Sequence, residues 1–141
     1  MPDIVQCTPA IQAVLEQGLA AEGAALFELL ATIHELKRRL QPLFASHDFL
    51  LTPATAALPW PADQPHPVQI AGKSVGPRGH AVFTALANAA ALPAIALPCG
   101  FVEGLPTGFQ LIGPQGADAA VLALARQYEN AHPWAQHWPA S

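Results

Sequence analysis

His80–Gly113, HAVFTALANAAALPAIALPCGFVEGLPTGFQLIG, is the stretch on which the fold turns. Its first part, His80 to Ala91, reads as a helix in which alanines allow close approach of neighbouring backbone while Val82, Phe83 and Leu86 supply bulk. Pro93 ends that helix, and Ala94–Leu97 follows as a short apolar strand closed by Pro98 and Gly100. A Glu103-Gly104-Leu105-Pro106 turn leads into a further strand, Phe109–Ile112, with Gly104 free to take positive φ and Pro106 fixing the exit direction.

Working outward, Phe49–Thr52 is another short apolar run, too brief for a helix and apolar on consecutive positions. From Pro53 to Pro77, prolines at 53, 59, 61, 65, 67 and 77 discourage both helix and interior strand, so the spacing predicts a loop over about 53–79. Upstream, two helices are expected, over about 9–20 and about 24–45. Thr8-Pro9 supplies the first start signal, with the hydroxyl as N-cap and proline at the first helical position. Leu26, Leu29, Leu30, Ile33, Leu36, Leu40 and Leu43 give the second helix an apolar face, and Pro42 should kink or end it. Downstream, Ala117–Ala131 should bury Val121, Leu122, Ala125 and Tyr128, before a tail over 132–141. The order over about 80–131 is thus helix, strand, strand, helix, and the fold class is α/β. Short strands apolar on both faces need neighbours on either edge and helices on both sides, and this chain alone offers too few.

Composition narrows the partners. Hydrophobic residues make up 52% and charged residues 11%, which excludes disorder, and a net charge of -4 without a basic run leaves no footprint for nucleic acid or an anionic membrane surface. MPDIVQCTPAIQ has neither a basic n-region nor an apolar h-region, so a cytoplasmic location is the expectation. Cys7 and Cys99 form no disulfide framework and no zinc-ligand spacing.

Several constellations look chemical and do not hold up. Ser46-His47-Asp48 spells a hydrolytic triad, but a working triad needs convergence in space, which adjacent side chains on one backbone are not expected to give. Gly72-Lys73-Ser74 lacks the earlier glycine of a phosphate loop, because Pro67 stands there. The six histidines have no metal-ligand spacing, so neither metal nor cofactor is expected. The residues with a possible pocket or structural role are Trp60, Phe83, Asn88 and Gln110, with His66 and Gln69 as further candidates in the loop.

Phe83-Thr84, Asn88 and PAIALPCG, then GLP-x-GFQLIG, then YENAHPW together resemble the C-terminal part of the amidase signature family. The resemblance runs from about residue 10 to residue 139 and implies a large mixed sheet between helical layers, to which this segment adds the last strands. It also implies carboxamide hydrolysis or ammonia transfer by a serine nucleophile, a bridging serine and a lysine base. The family's GGSSGG-like turn is absent here, since the serines are Ser46, Ser74 and Ser141. The chain is therefore expected to be the C-terminal piece of a longer amidase, inactive alone, that meets a small amide substrate only beside an N-terminal segment holding the catalytic residues. The alternative is a non-catalytic module that forms a homo-oligomer or docks on a partner.

Two departures from the family pattern bear on expectation. Glycine usually stands where this chain has Ala91, which would cost on the order of 1 kcal/mol if that backbone needs positive φ. The tRNA-dependent amidotransferase A subunits hold the amino group of glutamine with an aspartate three positions before the helix threonine, and here that position is Ala81. The resemblance thus points to the general amidase branch.

Overall fold

A computed structural model describes residues 7–137; residues 138–141 of the predicted tail and the start of the N-terminal segment lie outside the described residues. The chain divides after Arg38 into two compact units.

In the first unit, α1 spans Pro9–Ala20 and α2 begins at Gly23. Thr8 is the N-cap residue with extended backbone, but its hydroxyl makes no capping bond. Instead the Gln12 N–H donates to the Thr8 carbonyl at 3.0 Å and Gln12 Nε2 to the Cys7 carbonyl at 2.9 Å, which corrects the expected cap. Neither helix buries a side chain fully, and Phe27 is 73% exposed. Glu35 takes two hydrogen bonds from Arg38, at 2.7 and 2.8 Å, and holds that guanidinium above its usual range.

α2 runs on to Ser46. It does not stop at Pro42, and at its end Ser46 Oγ donates to the Pro42 and Leu43 carbonyls at 3.3 and 3.1 Å.

The second unit holds an antiparallel 3-stranded sheet in the order β1-β5-β4, with β1 at Leu50–Pro53, β4 at Ala94–Val102 and β5 at Leu105–Ile112. β4 and β5 are longer than the short strands expected, and Pro98 and Gly100 do not close β4. The reason is geometric. The Gly108 carbonyl accepts from Ala54 N–H at 3.0 Å, so the peptide groups of Gly108 face the β1 side. Pro98, its partner across the β4–β5 ladder, consequently turns its own nitrogen to the free edge, where no donor is needed. By the same alternation Pro53, opposite Phe109, and Pro106, two residues before Gly108, also point their nitrogens to unpaired edges. A register shift between Pro98 and Gly100, with Gly100 at φ 114°, absorbs the one extra residue. The connecting turn is just Glu103 and Gly104, at φ 53° and 77°, as a two-residue hairpin of matching twist requires.

The loop over 53–79 is not wholly irregular. β2 (Gln69–Ile70) and β3 (Lys73–Ser74) pair through Ala71 and Gly72, at φ 50° and 74°, so the phosphate-loop lookalike is a small hairpin. The next helix starts later than expected: a 3-10 turn covers Gly79–Ala81, and α3 is Thr84–Ala90.

α4 (Asp118–Ala131) packs on β4 and β5; its Val121 and Ala125 are buried, as are Ala87 and Ala90 of α3 and Leu97, Leu111 and Ile112 of the strands. Leu122 is 59% exposed, contrary to expectation, because the buried stripe follows the four-residue step from Ala117 through Val121 to Ala125 and leaves Leu122 a sixth of a turn or more away. Tyr128 prolongs the stripe, its hydroxyl donating to the Pro98 carbonyl at 3.0 Å and its ring meeting Phe109 edge-on at 4.9 Å.

Two positions give direct tests. Ala91 ends α3 at φ 54°, ψ 49°, where a Cβ crowds the following carbonyl, while Leu92 N–H bonds the Ala87 carbonyl at 3.0 Å. Ala91→Gly should raise the unfolding free energy by roughly 0.5–1 kcal/mol, read as a higher denaturant midpoint at unchanged slope. At Gly113, a Cβ would come within 2.6 Å of Val121 Cγ2 and 3.4 Å of Ala117 Cβ. Gly113→Ala should therefore cost about 1–3 kcal/mol by pushing α4 off the sheet, and a neutral result would contradict this packing.

Candidate functional site

β1 delivers the chain, at its exit, to a cavity of about 730 Å³. The wall is formed by Pro53, the run Thr55–Trp60, His80 and the start of β5 from Pro106 to Gly108. Backbone and side-chain bonds hold this wall in register: the His80 carbonyl accepts from both Thr55 Oγ1 and Ala56 N–H, each at 3.0 Å. The Trp60 indole N–H donates to the Gln64 carbonyl at 3.0 Å, and its ring lies 4.9 Å from the His80 ring at a tilt of 52°. His80 Nδ1 is enclosed and has no hydrogen-bond partner among the described residues.

Gln110 supports this corner from below. It is buried, and its Nε2 donates to Thr52 Oγ1 and to the Phe83 carbonyl, both at 3.2 Å. One amide thereby ties β5 to its ladder partner Thr52 and to the segment that carries His80. Of the residues singled out in the sequence, Trp60 lines the cavity. Phe83 is half-buried and contributes its carbonyl. Asn88 is exposed, and its side chain makes no hydrogen bond among the described residues; the αL closure at Ala91 serves the end of α3 with backbone groups instead. His66 bonds the Pro67 carbonyl at 3.1 Å and Gln69 sits exposed on β2, and neither lines the cavity.

A second cavity, of about 650 Å³, lies beside the outer half of the β4–β5 hairpin and is walled by Tyr128, His132, Trp134, Phe101, His137 and the Pro98–Gly100 bulge. In the linear sequence YENAHPW stands out only as a family mark, which hides this aromatic cluster, just as His80 is hidden. Their common signal is an aromatic residue next to proline, in Pro59-Trp60 and in His132-Pro133-Trp134.

The lookalike triad is partly corrected. Ser46 Oγ and His47 Nδ1 do approach, at 2.9 Å, although they are sequence neighbours. Both also contact the Leu43 carbonyl, at 3.1 and 3.2 Å, so the pair finishes α2. Both are exposed, line neither cavity, and Asp48 has no part in the contact. Among the described residues, no three of His, Cys, Asp and Glu gather in a way that would hold a metal ion, and no helix is long and apolar enough to cross a membrane.

Replacing Gln110 by leucine would take their shared side-chain donor from the Phe83 carbonyl and the Thr52 hydroxyl. The expected loss is about 1–3 kcal/mol of stability, and an unchanged midpoint would show the tie to be idle.

Comparison with known proteins places this geometry. The sequence profile of the Amidase family matches residues 6–122. The A subunit of the glutamyl-tRNA(Gln) amidotransferase from Thermodesulfovibrio yellowstonii is 36% identical over 107 residues, covering 70% of this chain and 20% of that protein. That of Dechloromonas aromatica is 45% identical over 58 residues, 41% of this chain and 12% of that protein. This chain thus spans about a fifth or less of the length of these curated relatives. Among solved structures, a bacterial aryl acylamidase of the amidase signature enzymes superposes with a TM-score of 0.80 at 26% identity, over 94% of this chain and 28% of that one. The A subunit of the glutamyl-tRNA(Gln) amidotransferase from Thermotoga maritima superposes with a TM-score of 0.57 at 27% identity, over 92% of this chain and 29% of that one. With its sequence matched from the first helix into α4, and with this sheet and its covering helices superposing on those enzymes, the chain belongs to the amidase signature family.

Proposed function

We propose that this chain forms the last strands and one pocket wall of an amidase that hydrolyses a small neutral carboxamide to carboxylate and ammonia. The nucleophilic serine, the bridging serine and the lysine base reside on polypeptide other than these residues. The observation that carries the reading is the cavity at the exit of β1, whose wall includes Trp60 and His80 but no lysine, arginine, aspartate or glutamate. Such a wall suits a neutral group and offers no carboxylate to an ammonium.

The general amidase branch is favoured over the amidotransferase A subunits on two grounds. At similar coverage the superposition is closer on the aryl acylamidase, at 0.80, than on the Thermotoga maritima protein, at 0.57. Next to His80 stands Ala81, at the position where the A subunits carry their glutamine-binding aspartate. The sequence relatives pull the other way, since the curated matches named above are A subunits.

Within this reading the chain positions and excludes water, and does no bond-breaking itself. Ser46 and Ser74 are exposed and lie outside both cavities. Without nucleophile, base and oxyanion donors, nearly all the transition-state stabilisation of amide hydrolysis is missing.

A second reading, a non-catalytic module that pairs with itself or a partner, has its own support in the exposed Leu26, Phe27, Leu29 and Leu30 of α2. Light scattering separates the two: a discrete stable oligomer supports the module, and folding only beside an amidase N-terminal segment supports the wall. The catalytic assignment is tested with a serine-reactive probe and a panel of aryl and aliphatic amides. The purified chain should be neither labelled nor active, whereas co-expression with an amidase segment carrying the GGSSGG turn should release ammonia from benzamide and none from glutamine. Turnover by the chain alone, abolished by Ser46→Ala or Ser74→Ala, would overturn the proposal.

A further inference from the structure

Four side chains in the wall of the first cavity carry polar hydrogens: Thr55, Trp60, His80 and Thr107. Three have already spent them on backbone carbonyls. Thr55 Oγ1 donates to His80, Trp60 Nε1 to Gln64, and Thr107 Oγ1 to Gly100, at 3.0, 3.0 and 3.2 Å. The His80 ring is the wall side chain whose donor is unspent.

The geometry also says which ring nitrogen carries that donor. Nδ1 is enclosed without a partner among the described residues. A neutral imidazole has one N–H and one bare lone pair, and an orphaned buried N–H is the rarer and costlier of the two to enclose. We therefore assign the proton to Nε2, the nitrogen that is not enclosed. The ring has little freedom to turn, because the His80 carbonyl is pinned by Thr55 and Ala56 and one side of the imidazole rests against Trp60.

From this arrangement we infer that His80 is a specificity residue of the cavity, its Nε2–H donating to an acceptor on a neutral, planar side group of the amide that lies against Trp60. The inference rests on the amidase reading above and names its substrate class: an aryl amide bearing an ether or carbonyl oxygen on the ring. Trp60, with its N–H engaged, offers a ligand only its π face and edge, and Pro53, Ala57, Leu58 and Pro59 complete an apolar slot. A purely aliphatic group would leave the ring donor unpaired on binding, and a charged group would find no counter-ion in the wall.

The test uses this chain, its histidine rings labelled with nitrogen-15, in complex with the amidase segment whose nucleophilic serine is replaced by alanine, titrated with 4-methoxybenzamide, benzamide and cyclohexanecarboxamide. Long-range proton–nitrogen spectra should show the Nε2-protonated tautomer for His80, and 4-methoxybenzamide should move its Nε2 resonance and bind about three- to tenfold more tightly than benzamide, the worth of one neutral hydrogen bond. His80→Phe should abolish that preference while still binding both benzamides, and His80→Gln, whose amide nitrogen reaches the place of Nε2, should restore it. An Nδ1-protonated tautomer, a preference that survives His80→Phe, or equal binding of the cyclohexyl and aryl amides would overturn the inference. Failure of the amidase reading is read separately, as absence of ammonia release from each of these primary amides by the co-expressed enzyme with its serine intact; retained hydrolysis with no preference for the methoxy compound would sink the His80 assignment alone.

Discussion

Phe109–Ile112 is the segment in which β5 is hydrogen-bonded on both sides, to β1 over Leu50–Pro53 and to β4 over Ala94–Leu97. Because alternate peptide groups of these residues face opposite neighbours, the register of either ladder fixes the other. The first cavity inherits its shape from that coupling. The exit of β1 at Pro53 and the start of β5 at Pro106–Gly108 meet at the same end of the antiparallel β1–β5 ladder, and Gln110 extends the same lock to the segment before α3. A slip of one residue would turn Gln110 to the other face and leave Thr52 and Phe83 without their donor.

Much of this is legible in the sequence where the physics is local. Pro93, Gly104 and the apolar runs locate the strands, and Ala91, standing where the family pattern has glycine, marks a left-handed helix end. What stays hidden depends on direction. Proline reads as a strand terminator at Pro98, because its missing donor matters only if the nitrogen faces a partner, and the facing of a nitrogen is set by register. Likewise His80 looks scattered among six histidines, since nothing in a linear pattern says that Thr55 and Trp60 fold back on it. Hydrophobicity alone would bury Leu122, and the phase of α4 decides otherwise.

The distribution of apolar surface fits a piece of a larger sheet. Fully buried hydrophobic residues are confined to α3, α4, β4 and β5 among the described residues, while Leu51, Val82 and Phe101 remain largely open. At roughly 25 cal/mol per Å² of apolar surface removed from water, such side chains represent stabilisation still unrealised in this chain. This chain spans 20% of one curated relative and 28% of one solved structure that it matches.

The prolines that interrupt the strand pattern have a further effect. Pro98 on the outer edge of β4, Pro53 on that of β1 and Pro106 beyond the reach of β1 each present a nitrogen without hydrogen, and the outward carbonyl of Pro98 is occupied by Tyr128. A foreign strand approaching either border meets gaps in the row of donors it would need. With gaps in the donor rows of both borders, this sheet is a poor template for runaway cross-chain β-pairing.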